Sequence, residues 1–439
     1  MENVADTLNN AFFSDNDGRG FRTLRACDCD RICQRILLAS GGGDEAGPRC
    51  QCVFTDIRGH IPEQILKKFE EVQKRYAKKL PGRNPGCSGA KTAKPDAQAM
   101  KATTDALMRD LIQVLQSEQF SYERDSKLCW CLKHDRLCPL VIPTKEGCLV
   151  IWAGGVSCLD WSTVGLRNGW AGDGCVANMA WFACILACKP HVVIIECTPH
   201  YSMTHVRMIL EPTYTVMNTK LCPTMFGVPS RRVRSWSVCT LNSAVDVAFP
   251  FGGEKFQDLF FRELSVDPAC YFTGTQEQRE QFKVQLAKRN KTPCSGQHLP
   301  LAQILPMGSW LRMHGYRLLA QKLKYANSNS LLFDRNQDPL RVTCLASDVC
   351  PTLLRKSNLL ALRVAGQDMP DNDPMIILPA EHLTVMGWPP IEGTQVLHAF
   401  RHLVPKLSAS ALRAITGNMM HMKVAGVAML YIMAACTLK

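Results

Sequence analysis

Short apolar runs alternate with helical patterns through the first half of the chain. Leu149, Val150 and Ile151 open one run, which meets Gly154 and Gly155 and then Cys158. A second, HVVIIECTP, ends on the acid Glu196. RCQCVFTDI, closing on Asp56 and Ile57, is a third. Continuous apolar runs of this length, bounded by turn residues, predict buried strands. Around Ala26, ACDCDRICQRILL predicts a strand end followed by a helix, with Asp28 and Asp30 at the junction. In residues 62–79, Ile65, Phe69, Val72 and Tyr76 recur at spacings of three and four, which predicts an amphipathic helix. A linker, LPGRNPGCSGAKTAKP, leads to a second helix from Asp96 to about Gln119. Residues 175–189 predict a helix and 191–197 the next strand. This alternation favours an α/β domain with a mainly parallel sheet.

From about residue 240 to 370 the pattern changes to short irregular segments with basic clusters, Lys283 to Lys291 and Arg312 to Lys324. The apolar pattern returns from about 375 and ends in a helix from about Asn418 to Cys436. The expected organisation is a large domain over 1–240, a smaller one over 241–374, and a return to the first over 375–439. Residues 60–145 read as an insertion in the large domain.

Composition adds bounds. A chain of 439 residues can build a large core and two domains. The polar first 20 residues do not read as a secretory signal. No apolar run reaches the roughly 18 residues of a bilayer span, and Val424 to Cys436 reads as a buried helix. Lys and Arg number 51 against 39 Asp and Glu, a net charge of +12, which permits an anionic partner such as nucleic acid without demanding one. With 22 cysteines and no export signal, reduced and mostly buried thiols are expected, so only position can single one out.

Position does so at Cys158. The strand-to-loop turn GGVSCLDWSTVGLRNG carries glycines that let backbone approach a substrate closely. Glu196 follows the next strand, and GVPSRRVR places Arg232 and Arg234 on alternate residues, which share one side if the backbone there is extended. A thiol, a carboxylate and two guanidiniums, each beside a strand, suit attack on an electron-poor heterocycle.

These segments, in this order, resemble the DNA (cytosine-5)-methyltransferase family. The Cys158 turn resembles the family's GGPPCQxFSxxGxxxG loop, with Val156 and Ser157 in place of the two prolines and Leu159 in place of the glutamine. Glu196 resembles the glutamate of its ENV motif, with Cys197 and Thr198 following. GVPSRRVR resembles GVPQxRxR, with Ser230 for the glutamine. The resemblance implies a Rossmann-like catalytic domain that uses S-adenosyl-L-methionine, with a smaller target-recognition domain contacting double-stranded DNA. It implies that Cys158 adds to carbon 6 of a flipped cytosine while Glu196, desolvated and raised in pKa, assists at nitrogen 3. Arg232 and Arg234 would orient the base. Asp28 resembles the acid that holds the cofactor's ribose, with Asp30 as the second choice, Asp56 the acid that reads its adenine, and Gly417 and Asn418 the C-terminal GN motif. The glycine motif FxGxGG has one candidate, FSDNDGRGF from Phe13 to Phe21. LPAEHLTVMGWP resembles the segment before the final motif, and SDVCPTLLRKSN the end of the target-recognition region. The implied location is nuclear in a eukaryote and cytoplasmic otherwise.

Two alternatives stay open: a non-enzymatic DNA-binding relative, and RNA as the substrate of the same chemistry. Cys129, Cys131, His134 and Cys138 are four candidate zinc ligands within ten positions. Their spacing matches no common finger, and Cys-x-Cys rarely supplies both ligands from a strand, so no metal is assigned.

Overall fold

The protein folds around two strand–helix–strand crossovers. The computed structural model describes residue 8 and residues 20–40, 50–77, 97–118, 128–140, 147–158, 160–162, 168–293, 299–323, 328–340, 345–366, 373–388 and 404–439. In the first crossover, β1 (Arg25–Cys27) leads through α1 (Arg31–Ser40) to β2 (Cys52–Phe54), which lies parallel to β1. Asp30 starts α1 by accepting the Ile32 N–H at 2.8 Å. Helices α2 (Glu63–Ala77) and α3 (Ala97–Ser117) follow, then a hairpin of β3 (Leu128–Cys131) and β4 (Arg136–Pro139). β3 pairs antiparallel with β2, giving a sheet of order β1-β2-β3-β4.

The second crossover runs from β5 (Ile151–Gly155) through α4 (Cys175–Cys188) to a parallel β6 (Val192–Cys197). β7 (Tyr214–Leu221) and β8 (Arg234–Leu241) complete a sheet of order β5-β6-β8-β7, and β9 (Val245–Val247) follows. All six residues of β6 are buried. Val193 and Ile195 face a core built with Phe69 of α2, Leu111 of α3, and Met179 and Phe182 of α4. Each such fully buried aliphatic or aromatic side chain contributes about 1.5–3 kcal/mol. In α2 the buried residues are Ile65, Phe69, Val72 and Tyr76, the stripe its spacing predicts.

The sheets depart from the mainly parallel expectation. Both of these four-stranded sheets contain a parallel pair, β1–β2 or β5–β6, but β6 and β8 are antiparallel, as are β2–β3 and β3–β4. Parallel neighbours need a crossover connection between them, and a single helix, α1 or α4, supplies it in these two pairs. The candidate glycine motif lies outside the described residues except for Gly20 and Phe21.

These elements belong to one compact unit, Met1–Lys220 with Arg234–Leu259 and Ala428–Lys439. A second comprises Leu221–Val233 and Phe260–Val427. The boundaries differ from those read in the sequence. Residues 241–259 group with the first unit, and 375–427 with the second. The stretch read as irregular holds α5 (Gln276–Arg289), α6 (Met307–Lys322) and an antiparallel sheet. That sheet, of order β11-β10-β12-β13, is built from β10 (Leu331–Asp334), β11 (Leu345–Ser347), β12 (Leu359–Arg363) and β13 (Met375–Ile376). The periodicity of α5 is masked because its buried face carries Arg279 and Lys283. Arg279 pairs with Glu381 at 2.7 Å and Lys283 with Asp373 at 2.9 Å.

The expected terminal helix is α8 (Met422–Ala435); α7 (Ala409–Asn418) precedes it, divided from it at Met419, whose ψ of 156° is extended. β14 (Cys436–Leu438) pairs with β9, and Tyr431 donates to the Phe249 carbonyl at 2.7 Å. Among the described residues, no helix is long and apolar enough to cross a membrane.

Candidate active site

β5 and β6 end together. Gly155 is in register with Glu196, and the Val156 N–H donates to the Glu196 carbonyl at 3.2 Å. Two residues later the chain presents Cys158, half-buried, at the start of a turn in which its carbonyl accepts from Trp161 and Ser162 at 3.1 and 2.9 Å. The turn is held from below. Buried Asp160 accepts the Gly174 N–H at 3.1 Å, while its carbonyl accepts from Gly169 at 2.9 Å. A side chain on Gly172 would overlap the Asp160 carboxylate, and one on Gly174 would come within 2.7 Å of Ser157 Cβ. Trp161 packs edge-on against Trp170 and Tyr201, with ring centroids 5.5 and 5.0 Å away. The thiol is therefore placed by Asp160, a glycine turn and aromatic packing, where the family consensus has prolines. Asp160, Gly172 and Gly174 were not singled out by sequence; the GDG that follows Trp170 and Ala171 is the signal that could have done so.

Glu196 is the penultimate residue of β6, opposite the start of β8. Its Oε1 lies 3.2 Å from Arg234 Nε, with the two side chains 8% and 13% exposed. An acid and a guanidinium so desolvated hold each other in place. Cys197, next along β6, points its sulfur at the Val156 carbonyl at 3.8 Å. Burial pushes that thiol well up, and the charges of Glu196 and Cys158 add to the effect, so Cys197 stays a protonated packing residue.

Arg232 and Arg234 do not share a strand face, because β8 begins only at Arg234. Arg232 is buried and donates to the carbonyls of Leu353 at 3.1 Å, Gly417 at 3.2 Å and Met419 at 2.8 Å. Its neighbour Arg231 pairs through backbone with Cys350, at 2.8 Å. GVPSRR is thus tied to SDVCPT and to the GN segment within the second unit. Gly417 sits in the last turn of α7, where a side chain would overlap the backbone of Leu354 and Arg355. Its missing Cβ serves chain packing. Asn418, beside it, is exposed.

On the cofactor side, Asp28 and Asp56 fall just beyond the carboxyl ends of β1 and β2, where open α/β sheets bind ligands. The Asp28 carboxylate accepts the Asp30 N–H at 2.8 Å, and burial raises its pKa. Asp56 is held differently. Burial pushes it up, but the hydrogen bonds and charge of Arg58 outweigh that and leave it below the ordinary carboxylate value. Arg58 engages both Asp56 oxygens: its Nε lies 3.2 Å from Oδ1 and 3.0 Å from Oδ2, and its Nη2 lies 2.6 Å from Oδ2. The half-buried Asp28 fits a ribose diol as it stands. Asp56 fits an adenine amine once Arg58 yields an oxygen.

Of the four candidate ligands, the structure gathers Cys131, His134 and Cys138 with Cys52 of β2. Cys129 donates instead to the Gly59 carbonyl at 3.3 Å. A small cavity in the second unit is lined by Arg335, Asn358, His382 and Arg413, and none of the candidate catalytic or cofactor residues lines it.

Fold and site together define a mixed α/β protein with a cysteine turn and a buried glutamate paired with an arginine near the end of a parallel strand pair. No family model matches the sequence, and no curated protein does. Similar solved structures include the Entamoeba histolytica methyltransferase EhMeth, 12% identical over 94% of this chain and 98% of that one, with a TM-score of 0.40. Another is the S. pombe Dnmt2 methyltransferase, 13% identical over 65% of this chain and 77% of that one, with a TM-score of 0.35. A third, a putative DNA modification methyltransferase encoded within an E. coli prophage, is 12% identical over 92% of this chain and 99% of that one, with a TM-score of 0.33. All three are named as methyltransferases, the class that the sequence resemblance implies. Likeness at these TM-scores carries no argument about this chain's reaction, which rests on its own residues.

Proposed function

We propose that this protein methylates carbon 5 of cytosine in DNA, through a covalent adduct between Cys158 and a flipped base. One observation carries the reading: Cys158 leaves β5 beside the end of β6, where Glu196 is buried and paired with Arg234. The Cys158 thiolate forms a bond to carbon 6, and the carbon 5–carbon 6 electron pair moves to carbon 5. Glu196 hydrogen-bonds nitrogen 3 and favours protonation there, which makes the ring a better acceptor. Arg234 fixes the Glu196 carboxylate and reaches toward the base. Arg232 acts as a positioning residue, fastening the GN segment. When bound, S-adenosyl-L-methionine supplies an electrophilic methyl group; in the first unit, Asp28 and Asp56 are the residues that would hold it. Loss of the carbon 5 proton then lets the sulfur–carbon bond break and returns the thiolate. The first unit carries this chemistry. The second, with basic residues on α5 and α6, contacts the phosphate backbone, so affinity falls with salt.

The test is trapping on DNA containing 5-fluorocytosine with S-adenosyl-L-methionine present. Fluorine blocks the final elimination. A denaturant-resistant adduct that Cys158→Ala abolishes supports the reading. No adduct on folded, DNA-binding protein overturns it in favour of a non-catalytic relative. The engagement of Asp56 by Arg58 and the replacement of the ENV asparagine by buried Cys197 are the features that favour that rival. Faster trapping on RNA than on DNA at fixed salt would reassign the substrate.

A further inference from the structure

We infer that Cys52, Cys131, His134 and Cys138 form a structural zinc site that fastens the β3–β4 hairpin to β2. The ligand atoms of all four lie within 4.8 Å of one another. His134 Nδ1 is 3.3 Å from the Cys138 sulfur, 3.5 Å from Cys131 and 3.8 Å from Cys52. A tetrahedral zinc centre, with bonds of about 2.3 Å to sulfur and 2.0–2.1 Å to nitrogen, separates sulfur from nitrogen by about 3.6 Å. The observed distances bracket that edge, so an ion fits at the centre with small adjustments. Three thiolates and an imidazole are the donor set that soft-ligand preference assigns to zinc. Four protein ligands leave no open position, which makes the site structural rather than catalytic.

The local fold supports the same assignment. β3 and β4 turn over at residues 132–135, with Asp135 at a φ of 50°, and this bend brings His134 back over the sulfurs. Cys129 and Cys131 share a strand face, and Cys129 stands directly opposite Cys138. Yet Cys129 turns to the Gly59 carbonyl, and its place is taken by Cys52, from a strand roughly eighty positions upstream. The buried cluster here consists of Cys52, Phe54, Cys131, Cys138 and Leu140. With three of five members cysteine, it has little apolar surface, and small apolar cores gain their stability from metals or crosslinks. A disulfide between any two of the thiols would leave the third and His134 facing it without purpose.

The experiment is metal analysis and thiol mapping on the full chain, purified under reducing conditions from zinc-supplemented culture. One zinc per chain should survive dialysis. Alkylation of the folded protein followed by peptide mass spectrometry should find Cys52, Cys131 and Cys138 protected until a chelator is added. Cys129 should gain no protection from the metal. Cys129→Ser should keep one zinc, whereas His134→Ala should weaken zinc retention at least about 10-fold. Cobalt replacing zinc in the wild type should give the intense tetrahedral and thiolate charge-transfer bands, a readout that needs no variant to fold. Absence of zinc from folded wild type that also takes up none, a disulfide among these cysteines in its place, or metal-dependent protection of Cys129 instead of Cys52 would each overturn the inference.

Discussion

The two crossovers of the first unit are built alike and stabilised differently. In β5–α4–β6 the return strand is buried along its whole length and packs into a core shared with α2, α3 and α4. In β1–α1–β2 the strands are three residues each, and the cluster beneath β2 is mostly sulfur. Hydrophobic burial holds one, and side-chain chemistry must hold the other. Carboxylates at the strand ends follow suit. Glu196 is largely buried and locked to Arg234, whereas Asp28 and Asp56 stay partly open. A rigid end suits a nucleophile and its partner, and an accessible one suits a ligand that comes and goes.

The largest expected effect lies at the rigid end. Cys158→Ala should lower methyl transfer by more than about 10³-fold and abolish the fluorocytosine adduct, while changing stability by under about 1 kcal/mol. Kinetics and a denaturation curve on one preparation would separate the two. Next, Arg234→Met should destabilise the protein by about 3–5 kcal/mol, because the Glu196 carboxylate then stays buried without its cation. A loss below about 1 kcal/mol would mean that water reaches this pair and would erase the contrast between the strand ends.

Outside both crossovers, Arg232→Met should cost about 2–3 kcal/mol in urea melts, since three carbonyls lose their charged donor. Gly174→Ala should cost about 1–3 kcal/mol, as Ser157 and the cysteine turn are pushed aside. A matching fall in adduct formation would show that the turn places the thiol.

The smallest effects sharpen the open end. Asp28 has a raised pKa in the fold. Such a carboxyl stabilises the fold while protonated, below its unfolded value near 3.9, and that contribution is lost as pH rises through the folded value. At neutral pH it is a cost, so Asp28→Asn should raise stability at pH 7 by less than about 1 kcal/mol after solvent screening. The gain should vanish in acid. Asp56 has the opposite sign: its lowered pKa stabilises above the unfolded value, and the contribution fades as pH falls through the folded one. Asp56→Asn should therefore lose stability at pH 7 and approach wild type in acid. Paired melts from pH 3 to 7 would read both slopes.

Local pattern was enough for much of this. The α2 stripe, the β5, β6 and β2 runs and the Asp30 cap are short-range facts, because side-chain period and capping depend on neighbours within a turn. Cys158 and Glu196 could be picked out as residues following strands. Other features depended on long-range pairing, which no local period encodes. The mixed sheets follow from which strands come to lie side by side and in which sense. The separation of Arg232 from Arg234 follows from where β8 begins, although the residues are two apart in the chain. α5 was obscured because Arg279 and Lys283 are buried on distant acids, Glu381 and Asp373. The sulfur cluster shows the division most plainly. Sequence supplied Cys131, His134 and Cys138 within one hairpin, but the fourth ligand depends on β3 pairing with β2. Only that pairing brings Cys52 to the imidazole and leaves Cys129 aside.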